Sequence, residues 1–242
     1  MKVSINTAVF LEDMQNGVSQ VDCLKKLIDK PIQDIEVRGE FFQDDTRNAE
    51  LNSIDKLCRV QQWQFYFSIP EELFTDGKLN ENIFDYLKMA EANSIKGLKI
   101  SLGSFKTLEG ADTDRLSKAL KKSEVKVTVE NQPNENGTLN RFTKNLTCLL
   151  DVVPELGYTF DSGNWYWIDE SPENAFEALK KYITIFHLKD IKDRDTVMLG
   201  DGLTDWEKLL HELKAGTPVF LEYAINNNLL DQEIEKVNSK LD

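Results

Sequence analysis

The sequence predicts an α/β protein: a single (β/α)8 TIM barrel, with a parallel eight-stranded barrel inside a ring of helices. Three observations carry this expectation. Short β-rich runs recur about every 30 residues, the length of one βα unit. Stretches with apolar residues at i, i+3 and i+4 separate them in alternation. No Pro-, Ser- or Gly-rich linker divides the 242 residues, so one domain is expected over residues 1–242. A chain this long can bury roughly 70% of its extended surface without staples. An open doubly wound sheet would want a Gly-rich turn after the first strand, and Asn6-Thr7-Ala8-Val9 supplies none.

The predicted strands are Lys2–Asn6, Asp34–Arg38, Trp63–Ile69, Lys96–Ser101, Val125–Glu130, Tyr158–Asp161, Ile183–Lys189 and Pro218–Glu222. Helical spacing follows at Val21/Leu24/Leu27/Ile28, Leu51–Val60, Ile83/Phe84/Leu87/Ala90, Asp114–Lys122, Leu139–Leu150, Glu173–Lys180, Trp206–Leu213 and Leu229–Val237. Ser19 and Asp205 have the character of N-caps, and Gly97 and Gly157 are read as punctuation before the next strand. At about 30 residues per unit, little length remains for lids or clamping loops. A homodimer would close the mouth, although no residue pattern marks its interface.

Composition narrows the function. Twenty-nine Lys and Arg stand against 42 Asp and Glu, a formal charge of −13. Affinity for nucleic acid rests on neutralising phosphates, so no nucleic-acid partner is expected. Cys23, Cys58 and Cys148 are scattered and odd in number, which argues against a disulfide framework or a thiolate zinc site. The opening MKVSINTAVFLEDM has a broken apolar stretch, and no run of about 18 apolar residues occurs. A cytoplasmic protein without a membrane span is expected.

Side chains alternate faces along a strand. Ile35 and Val37 share one face, Glu36 and Arg38 the other. Val125, Val127 and Val129 oppose Lys126, Thr128 and Glu130. Phe186 and Leu188 oppose His187 and Lys189, and Val219 and Leu221 oppose Phe220 and Glu222. Aliphatic faces suit the helices, leaving the polar faces inside the barrel. Unpaired charges there are costly to bury, and these sit at strand C-termini, the end at which barrel active sites are built. For Glu36 and Arg38 a structural ion pair is an equally good account.

Runs five to eight end in Glu130, Asp161, His187 and Glu222. Neighbouring strand ends lie about 5 Å apart, so these side chains can converge. Three carboxylates together repel unless they bind protons or a cation. Oxygen-rich ligation with one imidazole suits one divalent ion, Mn2+ or Mg2+ first, Co2+ or Zn2+ next. A carboxylate–histidine network without metal is the alternative.

The motifs IEVRGEFF (35–42), VTVENQ (127–132), TFDSGNW (159–165), FHLKD (186–190), GDGLTDW (200–206) and FLEY (220–223), taken in this order, resemble the xylose-isomerase-like TIM barrels. That family contains sugar phosphate isomerases and epimerases as well as apurinic endonucleases. The resemblance implies that Glu130, Asp161, His187 and Glu222 bind metal. It also implies that Glu130 and Glu222 are the catalytic pair, taking and returning a substrate α-proton through a metal-stabilised enediolate. Around them, Lys189 would polarise a carbonyl or bind an anionic group, and Arg38, beside Glu36, would clamp a carboxylate or phosphate. Trp165 would stack on a sugar-like substrate, while Trp167 suits a rim residue.

The chain departs from the family at Asn164, where many members carry a substrate-binding His. Asn keeps hydrogen bonding but exchanges no proton near neutrality. His211, the remaining histidine, falls on a helix. That leaves too few ligands for a multi-zinc endonuclease. The fourth run ends in Ser101-Leu102-Gly103-Ser104, with no charged group for catalysis. Gly200-Asp201-Gly202 lacks the Lys and spacing of a phosphate loop and reads as a turn before the Asp205 cap. The function expected is a metal-dependent isomerase or epimerase of a sugar, sugar phosphate or keto acid. The alternatives are a dehydratase of a polyol-like keto compound and a sugar-binding barrel without turnover.

Overall fold

Period-2 alternation of β-branched and aromatic residues builds the strands, and apolar stripes at helical spacing cover them. The computed structural model describes residues 1–106 and 110–241. Its strands are β1 (Ser4–Asn6), β2 (Ile35–Arg38), β3 (Phe65–Thr75), β4 (Lys78–Leu79), β5 (Ile95–Gly103), β6 (Lys126–Glu130), β7 (Gly157–Asp161), β8 (Ile183–Leu188), β9 (Asp190–Lys192), β10 (Asp195–Val197) and β11 (Val219–Leu221). Eight of them pair in parallel in the order β1-β2-β3-β5-β6-β7-β8-β11, and β11 pairs back onto β1 to close the barrel.

Outside run the helices α1 (Leu11–Gln15), α2 (Gln20–Lys25), α3 (Arg47–Gln61), α4 (Asn82–Ala92), α5 (Gly110–Lys122), α6 (Leu139–Val152), α7 (Pro172–Leu179), α8 (Trp206–Glu212) and α9 (Leu230–Asn238). The core lies between the layers. Ile35, Val37, Val127, Val129, Phe186, Val219 and Leu221 from the strands are buried in one cluster with Leu51, Ile54, Leu146, Phe176 and Ile234 from the helices. Ser19 and Asp205 cap α2 and α8 by accepting from the Asp22 and Lys208 amides.

Several local expectations shift. Helix α2 stops at Lys25, so Leu27 and Ile28 lie in the turns that follow, and Ile28 is exposed. Gly97 and Gly157 lie within strands rather than before them. A Cβ at Gly97 would stand 2.5 Å from the Tyr66 ring. The barrel also carries more structure at its C-terminal end than its length suggested. β3 runs on to form an antiparallel hairpin with β4 through Asp76-Gly77, both at positive φ, a hairpin signal the sequence displays. β9 and β10 form a second hairpin immediately after β8.

Among the described residues no helix is long and apolar enough to cross a membrane.

Candidate active site

The inward faces of the strands converge at the C-terminal end of the barrel. Glu36, His187, Asp161, Glu222, Glu130 and Lys99 are all buried there. Phe220 forms the floor. Its ring packs edge-on against Tyr66 at 5.2 Å and lies 5.6 Å from the His187 ring.

Glu222 is the hub. Its Oε1 accepts from Asn6 Nδ2 at 3.2 Å, from Arg38 Nη1 at 3.2 Å and from Lys99 Nζ at 3.4 Å. Its Oε2 lies 2.9 Å from His187 Nδ1 and 3.1 Å from Lys189 Nζ. Lys99 also donates to both oxygens of Glu130, at 2.8 and 3.0 Å. Lys189 Nζ sits 2.7 Å from Asp161 Oδ2. The other Asp161 oxygen accepts the Gly163 and Asn164 amides at 2.8 and 3.0 Å, in the turn that follows β7.

This packing sets the protonation states. Burial opposes charge on Glu222, but Lys189, Lys99 and His187 outweigh it and hold the carboxyl well below its usual range. Burial also works against ionised Glu130, and Lys99 and His187 lower it nonetheless. Asp161 is pushed up by burial to about 6, with Lys189 limiting the rise. Burial disfavours imidazolium at His187, yet Glu222 and Glu36 raise it well above its ordinary value. The carboxyl groups of Glu36, Glu130, Asp161 and Glu222 share this space with Lys99, Lys189, Arg38 and His187.

Ligand atoms of Glu130, Asp161, His187 and Glu222 all lie within 4.8 Å of one another. Two ligands opposite each other on one small divalent ion span about 4 Å, so a slight contraction would seat one. Three carboxylates and an imidazole are also the right donors for such an ion. The residues therefore fit a divalent ion by donor type and spacing.

The other sequence-derived candidates divide. Arg38 reaches the cluster but pairs with Glu222 and Glu40 instead of Glu36. Glu36 instead accepts from Asn6 Nδ2 at 2.5 Å and lies 3.4 Å from His187 Nε2. Asn164 turns its side chain to donate to the Asn131 carbonyl at 2.9 Å, tying the ends of β6 and β7 together. Trp165 does not face the site. It is fully buried in an aromatic cluster with Phe142 and Phe160, so no sugar can stack on it. Trp167 is partly exposed, as suits a rim residue, and His211 is exposed on α8.

Three groups escaped the sequence reading. The end of the fourth run, Ser101–Ser104, carries no charge, but Lys99, just before it on β5, reaches Glu130 and Glu222. Gly97, Lys99 and Ser101 share the inward face of β5 while Leu98, Ile100 and Leu102 face out, and that alternation was legible. Asn131 clasps β7, accepting from the Asp161 amide and the Tyr158 hydroxyl at 2.9 Å each and donating to the Asp161 carbonyl at 3.0 Å. Gln132 accepts from the Gly103 amide at 2.6 Å and donates to Glu72 at 2.8 Å. With Arg38, Ser68, Ser101 and Lys99, Glu72 lines a mouth cavity of about 250 Å³.

Gly200-Asp201-Gly202 is a cradle for a carboxylate of the chain itself. Buried Asp190 accepts the amides of Ile191 and Thr204 on Oδ1, each at 2.9 Å, and those of Gly200 and Gly202 on Oδ2, each at 3.0 Å. A Cβ on Gly202 would stand 2.1 Å from Oδ1.

The family model described as xylose isomerase-like TIM barrel matches residues 105–240, more than half of the chain. The chain belongs to that family. Solved structures agree on the fold. A D-tagatose 3-epimerase-like protein superposes with a TM-score of 0.73 at 17% identity, covering 99% of this chain and 97% of its own. The probable 3-DHS dehydratase AsbF of Bacillus anthracis gives 0.71 at 18% identity, covering 98% of each chain. An AP endonuclease of family 2 from Brucella melitensis gives 0.64 at 15%, covering 93% and 94%. No curated protein matches the sequence. The epimerase-like protein and the dehydratase share the barrel with this family member, and at these identities the likeness carries the fold alone.

Proposed function

We propose that this family member is an isomerase or epimerase of a small sugar, sugar phosphate or keto acid, acting by proton transfer at the carbon next to a carbonyl. The supporting observation is the pair Glu130 and Glu222, whose carboxylates belong to one buried group beside the mouth cavity. Lys99 and Lys189 keep both glutamates ionised, the form a base requires. One glutamate takes the α-proton at a carboxylate oxygen, and return of a proton to the same or the neighbouring carbon gives the epimer or the isomer.

Glu130, Asp161, His187 and Glu222 would hold a divalent ion, and that ion would supply Lewis acidity toward adjacent substrate oxygens. Lys189, 2.7 Å from Asp161 Oδ2, would donate to the oxygen that gains charge as the proton leaves. Arg38, partly exposed at the rim, is the group to orient a polar or anionic end of the substrate. Three scattered free cysteines suit the reducing cytoplasm, the compartment we assign.

Elimination begins with the same proton abstraction at Glu130 or Glu222, which makes it the second reading. The test is incubation with a panel of ketoses, aldoses, their phosphates and keto acids in D2O, followed by NMR. Deuterium at the α-carbon with a new stereoisomer supports the first reading. Loss of water to an enone supports the second. Ligand-induced stabilisation without exchange on any panel member overturns both and leaves a binding barrel.

A further inference from the structure

Every carboxylate of the candidate metal set already carries an ammonium. Lys99 lies between Glu130 and Glu222, and Lys189 between Asp161 and Glu222. An ionised carboxylate offers about four lone-pair sites. Glu222 alone gathers Asn6, Arg38, Lys99, His187 and Lys189 among the described residues. It has no lone pair to spare for an incoming ion.

Neither lysine is a surface group that strays inward. Lys99 stands mid-strand on the inner face of β5, its side chain 7% exposed, and Lys189 follows β8 directly, its side chain 14% exposed. A dipositive ion on these four residues would sit within a few ångströms of both ammoniums, where like charges repel strongly in a buried setting.

We infer that Lys99 and Lys189 are resident cations of this centre, which hold the carboxylate cluster together without a metal ion and compete with one for the same oxygens. A divalent ion enters by displacing an ammonium from its carboxylate. The centre is therefore stable when empty and takes metal weakly, unlike a carboxylate cluster that needs the ion to cancel its own repulsion. This inference rests on the reading of Glu130, Asp161, His187 and Glu222 as a cation centre, and not on the reaction assigned to it.

The test is equilibrium dialysis of the full chain against Mn2+, with thermal melts in its absence and presence, for the native protein and for Lys99→Met, Lys189→Met and Lys99→Arg. The native chain is expected to melt cooperatively without metal. Both Met variants should bind Mn2+ at least tenfold more tightly than the native chain, and Lys99→Arg, which keeps the charge, should not. Lys99→Met should melt lower than native without metal and recover as Mn2+ is added, because binding to the folded state alone stabilises it by mass action. If Lys99→Met fails to fold, the more accessible Lys189→Met carries the comparison. Native protein that binds Mn2+ as tightly as both Met variants overturns the role of the lysines while leaving the cation centre intact. No binding by any of the four proteins overturns the cation centre itself, and the role of the lysines with it.

Discussion

Asp190→Asn isolates the cradle that shapes the segment after β8. Asn matches Asp in size, so no cavity forms and only charge and hydrogen bonding change. In the native chain Oδ1 accepts two amides and Oδ2 accepts two more. An amide side chain offers one oxygen and one NH2, and whichever way it turns, the NH2 faces two backbone donors. Two hydrogen bonds to a charged acceptor are lost, at about 1.5–3 kcal/mol each. The sum is about 3–6 kcal/mol, and the lower end applies because Gly200 is exposed and its amide can turn to water. For a chain of this size 1 kcal/mol moves Tm by about 2–4 °C, so a loss near 3 kcal/mol lowers Tm by about 6–12 °C. Equilibrium urea unfolding, with the slope m unchanged, measures the same quantity. A loss below about 1 kcal/mol would refute the cradle as a source of stability.

Three further outcomes are expected. Glu222→Gln should abolish turnover of any substrate found on the panel, measured as α-proton exchange, because the amide cannot take a proton; surviving exchange removes Glu222 from the proton pathway. Lys99→Met breaks a buried pair and should cost about 3–5 kcal/mol, with the double change Lys99→Met/Glu130→Gln recovering much of it in a double-mutant cycle; additive losses would mean that the two side chains are uncoupled. Burial pushes the Cys23 thiol up to about 11 and the Cys58 thiol to about 12, while Cys148 is exposed. A chromogenic disulfide at pH 8 should therefore titrate Cys148 quickly and the other two only on unfolding, since the thiolate is the reactive form; rapid reaction of all three would contradict the packing around α2 and α3.

Local pattern alone sets the repeat, the positions of the eight barrel strands and the inward parity of Glu130, His187 and Glu222. These depend on local physics: the pleat turns alternate residues to opposite faces, and a βα unit needs about 30 residues. What meets across the barrel was decided only by closure. Lys99 pairs with Glu222, 123 residues away, through a stagger of strands that no single strand encodes. Trp165 lies only four residues beyond Asp161, yet the turn after β7 carries it out among Phe142 and Phe160. Arg38 shares a face with Glu36 but finds Glu222 and Glu40, because same-face neighbours in a strand stand about 7 Å apart while side chains from other strands converge at the mouth. Parity tells which way a side chain leaves the backbone; the curvature of the closed sheet decides what it meets.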